Sequence, residues 1–130
     1  MNIRPTAVAV RGRRERLIQT LWFEVVGLLV VSPLLGWWAG TDTAESVAVV
    51  LVLSAAMMAW AALYNTLFDR IEARWTGRVA SDRPHRLRVA HAVGLEVSGA
   101  LVTWPLIVAL TPLGWWQALW LDLTLSLAYT

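Results

Sequence analysis

The chain has 130 residues, of which 58% are hydrophobic and only 15% charged, and nine are tryptophan. A soluble helical bundle of this size needs charged outer faces. Here the charges gather in a few clusters, which excludes an ordinary soluble domain and reads as a single membrane domain over residues 1–130. The absence of Cys excludes a disulfide framework and a thiolate metal site, and the eleven basic residues, all Arg, flank apolar stretches, which argues against a nucleic-acid partner.

Arg4, Arg11, Arg13, Arg14 and Arg16 precede the first apolar stretch, from about Leu17 to Trp38. This stretch is too long for the apolar core of a signal peptide, and a later segment repeats it, so it reads as a retained helix. A short turn, Ala39 to Thr43, leads to the second stretch, from about Ala44 to Phe68. Asp69 to Arg88 is polar, helix-friendly at first (DRIEARW), then turn-like at Gly77, Ser81-Asp82 and Pro84. The third stretch runs from about Val89 to Leu110, and Thr111-Pro112 joins it to a fourth that starts near Leu113 and reads as cut short at Thr130. A spanning helix needs roughly 20 apolar residues, and the first three stretches qualify.

A shift of 72 positions lays Arg14, Arg16, Glu24, Val25, Gly27 and Pro33 on Arg86, Arg88, Glu96, Val97, Gly99 and Pro105. The expected fold is all-α: four transmembrane helices as two tandem antiparallel hairpins, 14–75 and 86–130, forming a parallel internal repeat. Arginines lie before helix one and between helices two and three, and neither hairpin turn carries any. The positive-inside rule therefore puts both termini in the cytoplasm. Trp37-Trp38 and Trp115-Trp116 fall at the opposite ends of the hairpins, where an interfacial belt belongs, and Trp75 falls near the arginine side.

Glu24 and Glu96 each lie within an apolar run. A carboxylate in hydrocarbon is costly unless it is protonated, paired or wetted, so an intramembrane acid marks a functional site by default. Loss of water favours the neutral form of a carboxyl group and a nearby cation favours the ionised one, so one site can exchange a proton for a cation. The blander alternative is an acid paired with a snorkelling Arg that only sets packing. Counting residues from the arginine side places Glu24, Trp60 and Glu96 in one layer. Gly27 and Gly99, with Thr20 and Ala92, keep the neighbourhood of each acid small. Trp60, Tyr64 and Phe68 share a helix face, where aromatic rings suit organic cations, although such spacing also serves packing. Asn65 is a candidate helix-bridging residue and, with Glu24, Trp60 and Tyr64, a candidate substrate contact. Asp69, at the water boundary, is expected to pair with Arg70 or an Arg of a neighbouring turn. His91 is a candidate proton relay whose counterpart in the first half is Gln19. Asp122 could face the bundle but has no clear repeat partner. No metal constellation, nucleophile motif or cofactor fingerprint is present, so an enzyme is not expected.

RLIQTLWFE, WAALYNTLFD and RVAHAVGLE resemble the motifs of the proteobacterial antimicrobial compound efflux family, built from two bacterial transmembrane pair domains. That family shows R-x-x-H-A-x-x-F-E at the start of helices one and three, and W-N-x-x-x-N-x-x-F-D at the end of helix two. The resemblance implies a four-helix pump of the bacterial inner membrane that exports cationic biocides such as chlorhexidine, and in some members short diamines, driven by the proton gradient. It puts the coupling acid on Glu24, its second copy on Glu96, and the helix-two Trp, Asn and Asp on Trp60, Asn65 and Asp69. Gln19, Ala61 and Leu95 depart from the motifs, and the motif expected near the end of helix four is absent.

The expected partners are protons, a cationic small molecule and the bilayer, and four helices of so little enclosed volume are compatible with a homodimer. Two alternatives stand beside this reading. A small multidrug resistance-type exporter also uses four helices and a first-helix Glu, but lacks the repeat and the one-sided arginines. A non-transporting membrane subunit or adaptor would use the repeat for assembly alone.

Overall fold

The computed structural model describes residues 13–77 and 82–129. Arg4, Arg11, Arg78, Ser81 and Thr130 of the sequence reading lie outside the described residues. Among those described there are four helices and no strand: α1 (Arg13–Ala39), α2 (Thr43–Thr76), α3 (His85–Leu110) and α4 (Trp115–Tyr129).

The first three helices are long and apolar enough to cross a membrane. α2 is longer than its apolar stretch. Its 34 residues reach about 51 Å at 1.5 Å per residue, against a hydrocarbon core of about 30 Å. The surplus carries Asp69, Arg70, Glu72 and Arg74, so the polar segment after Phe68 begins as helix rather than linker. α3 likewise starts at His85, ahead of the apolar stretch. α4 is the short member, with 15 residues.

Local chemistry sets the helix ends. Asp42 caps α2 by accepting a hydrogen bond from the Glu45 backbone N–H at 2.8 Å, which satisfies one of the first-turn amides. Gly77 ends α2 in the left-handed conformation, at φ 67°, and its N–H returns to the Ala73 carbonyl. Pro84 opens α3.

Helices consecutive in sequence pack on one another, α1 on α2, α2 on α3 and α3 on α4. α1 buries Gly27, Val31, Leu35 and Ala39, a stripe of period four, and α3 buries Gly99, Thr103 and Ile107 at the positions 72 further on. α2 buries Ser46, Val49, Val50 and Leu53, and α4 buries Ala118, Leu121 and Asp122 at the matching positions. The two hairpins thus bury the same registers with some changes of chemistry: Ser46 in the first becomes Ala118 in the second, and the apolar Val31 and Val50 become Thr103 and Asp122. Leu29, Trp37, Trp116 and Leu127 stand well exposed on the outer faces, as expected of helices whose solvent is lipid.

Candidate functional site

The centre of the bundle holds a cavity of about 250 Å³ that all four helices line, with Glu24 from α1, Ser54 and Met57 from α2, Glu96 and Thr103 from α3, and Asp122 and Ser126 from α4. Its wall is otherwise mostly apolar, and among the described residues no Arg or His lines it. The two glutamates singled out by the repeat therefore share one space.

The three acids sit in different settings. Glu24 is half-buried, and Ser54 Oγ donates to its Oε2 at 2.9 Å. Glu96 is exposed at the rim. Asp122 is the deepest, at 4% exposure. Thr103 Oγ1 donates to Asp122 Oδ1 at 2.6 Å, and among the described residues Oδ2 has no partner. Three carboxyl groups in an otherwise mostly apolar wall give the cavity an acidic lining. Such a lining has the chemistry to receive a positively charged group.

The aromatic residues of α2 take another position. Trp60, Tyr64 and Asn65 do not line this cavity. Glu24 meets α2 at Ser54, six residues before Trp60, a separation of about 9 Å along the axis. Trp60 thus stands off the level of Glu24 and closer to that of Glu96, since its indole meets α3 two residues beyond Glu96. Trp60 instead turns to α3, where its Nε1 donates to Ser98 Oγ at 2.9 Å. Tyr64 and Phe68 pack against His91, with ring centroids 5.3 and 4.8 Å away. His91 is wedged in this aromatic contact, away from the acids. Asn65 and Gln19 are exposed.

Asp69 pairs with Arg83, an arginine of the neighbouring turn, as its place at the water boundary suggested. Arg83 Nη2 reaches Asp69 Oδ1 at 2.5 Å, and Nε reaches Glu72 Oε2 at 2.6 Å. The guanidinium also stacks 4.9 Å from the Phe68 ring centroid. The hydrogen bond to Glu72, then the one to Asp69, raise the pKa of Arg83 above its ordinary value and keep it a cation. This cluster clamps the α2–α3 connection and lies apart from the cavity.

Three participants, Ser54, Ser126 and Thr103, escaped the sequence reading, and Asp122 figured there only as a residue that could face the bundle. Ser54 and Ser126 are related by the same shift of 72, which could have flagged them. Thr103 and Asp122 replace two valines of the first hairpin together, a paired change that a register comparison of buried positions brings out.

A cavity lined by carboxyl groups, among helices able to cross a membrane, is the arrangement of a small multi-pass membrane transporter. A family model described as BTP, chlorhexidine efflux transporter, matches residues 11–74 and 83–130, and the chain belongs to that family. Two relatives bear on it. A short-chain diamines transporter of Vibrio parahaemolyticus is 27% identical over 110 residues, 85% of this chain and 76% of the relative. A short-chain diamines transporter of Acinetobacter baylyi is 25% identical over 114 residues, 88% of this chain and 78% of the relative. No solved structure matches the chain significantly. The protein is thus a bacterial multi-pass membrane protein of an efflux transporter family, and not an enzyme.

Proposed function

We propose that this protein is a proton-coupled exporter of organic cations in the bacterial inner membrane, with Glu24 as the acid that exchanges a proton for the substrate and Glu96 as a second acid of the same site. The central cavity carries this reading, since it gathers both glutamates and, among the described residues, its lining offers a cation no competing positive charge. Protonated Glu24 accepts a cation from the cytoplasm or inner leaflet, releases its proton, and is reprotonated from outside. The hydrogen bond from Ser54 holds the Glu24 carboxyl group in the wall of the cavity.

Family membership favours cationic biocides of the chlorhexidine kind or short diamines as substrates. The volume favours the shorter molecules, because pockets for drug-sized ligands run to roughly 300–1,000 Å³ and this one is about 250 Å³. The matched burial registers of the two hairpins and the one-sided arginines support a parallel internal repeat with both termini in the cytoplasm. Glu96, exposed in a single chain, is a reason for a second copy to cover that rim in a homodimer.

Transport into proteoliposomes under an imposed proton gradient tests the proposal, with a chlorhexidine salt and a short diamine as substrates and Glu24→Gln beside the wild type. Gradient-dependent uptake by the wild type, reduced at least about tenfold in Glu24→Gln, is the expected result. Uptake indifferent to the gradient, or undiminished in Glu24→Gln, overturns it.

A further inference from the structure

Asp122 is the most enclosed of the three acids, and packing does not account for it. At the matching position of the first hairpin a buried valine, Val50, fills the same register, and a buried valine, Val31, holds the register of Thr103. The second hairpin replaces this apolar pair with Thr103 and Asp122, both buried and hydrogen-bonded to each other. An apolar pair of similar shape would serve stability as well or better, since burying a carboxyl group carries a desolvation cost that one hydroxyl bond offsets only in part. Thr103 occupies Oδ1 alone. Oδ2 is buried and without a partner among the described residues, while Asp122 lines the same cavity as Glu24 and Glu96. A buried acceptor without a partner at the wall of a void calls for an explanation, and a donor brought by a ligand supplies one.

The geometry points to Asp122 as the second pole of the cation site: its Oδ2 receives the far cationic group of a dication whose near group lies at Glu24. This rests on the reading of the cavity as a site for organic cations, and adds that it discriminates between one positive charge and two. Thr103 acts as a positioning residue, fixing Oδ1 so that Oδ2 is presented to the cavity. Glu96, at the rim, is the other acid facing that space, and α2 contributes no charged group to the described lining.

The test is binding to the purified full-length chain in detergent, by calorimetry, of two probes of equal carbon count: pentamethylenediamine and pentylamine. Asp122→Asn keeps the shape and an acceptor for Thr103. It is expected to lower diamine affinity at least about tenfold while leaving pentylamine within about twofold. The double variant Thr103→Val/Asp122→Val copies the apolar pair of the first hairpin, so it tests ligand contact without loss of packing. It is expected to keep its fold, judged by a single monodisperse species, and to show the same selective loss. Equal loss of both amines in Asp122→Asn, no loss of either, or recovery of diamine binding in the double variant assigns Asp122 to structure and overturns the proposal. Failure of the wild type to bind either amine overturns the cation reading itself, and the proposal with it. Selective loss in Asp122→Asn alongside unaltered binding of both amines in Glu24→Gln removes Glu24 from the site and overturns the two-pole arrangement.

Discussion

Ser54 of α2 donates a hydrogen bond to Glu24 of α1 at 2.9 Å, tying the acid of one helix to the wall of the next. The bond crosses the interface of the first hairpin and faces the central cavity. Ser126, the residue 72 positions after Ser54, lines that cavity from α4, as Glu96 does from α3. Each half of the chain thus contributes one glutamate and one serine to a single space.

Ser54→Ala removes the donor and leaves a half-buried carboxyl oxygen without its partner. The expected loss of stability is about 1 kcal/mol, since hydrogen bonds within membrane bundles fall in the lower part of the usual range. Cation binding should weaken several-fold, because the carboxyl group is no longer held toward the cavity, and Ser54→Thr should restore it. Thermal melting of the purified protein and titration with a short diamine measure the two effects.

Trp60 and Ser98 share one hydrogen bond between α2 and α3. Trp60→Phe and Ser98→Ala should each cost about 1 kcal/mol, and the double variant should cost little more than either alone, because both remove the same interaction. Neither residue lines the cavity, so diamine affinity should stay within about twofold of wild type. A loss in Trp60→Phe as large as that in Glu24→Gln would return the indole to the ligand site.

Gly94 lets α3 approach Tyr64 closely, and a Cβ there would collide with the phenol oxygen. Gly94→Ala should therefore cost about 1–3 kcal/mol, the range for overpacking. Most of that cost should vanish in a Tyr64→Phe background, where the colliding atom is gone. A double-mutant cycle followed by thermal melting checks this, and an unchanged cost in the Phe background would mean that the strain lies in the backbone.

Arg83 spans two acids of α2, exposed Asp69 and buried Glu72. Arg83→Ala strands Glu72 and should lower the melting temperature more than Arg83→Lys, because a lysine can meet one carboxylate but cannot reproduce the forked contact to both. Glu72→Gln in the Arg83→Ala background should recover part of the loss. Diamine binding should persist in all three, since the cluster lies apart from the cavity. Melting curves and binding isotherms of the three variants decide the point.

Much of this was legible in the residues. Runs of apolar residues long enough to span hydrocarbon can satisfy their backbone only as helices, so α1, α2 and α3 followed from length and hydropathy. Glu24 and Glu96 were legible because an acid in such a run is rare and costly, and the repeat of 72 set them side by side in expectation before any contact was known. The interval between Phe68 and His85 was less legible. DRIEARW reads as helix, but where α2 stops depends on Gly77 taking up the left-handed turn.

What the sequence determined by itself was periodic or compositional: four helices, two matched halves, two intramembrane acids and the arginine ends. What only the tertiary structure decided was which side chains meet. Trp60 and Tyr64 carried the right chemistry for a cation yet turned to Ser98 and His91. Asp122 had no repeat partner to recommend it and yet became the deepest acid of the cavity. The reason is geometric. The level and face at which residues of two helices meet depend on how the helices pack and rotate against each other, which a residue count along one axis does not contain.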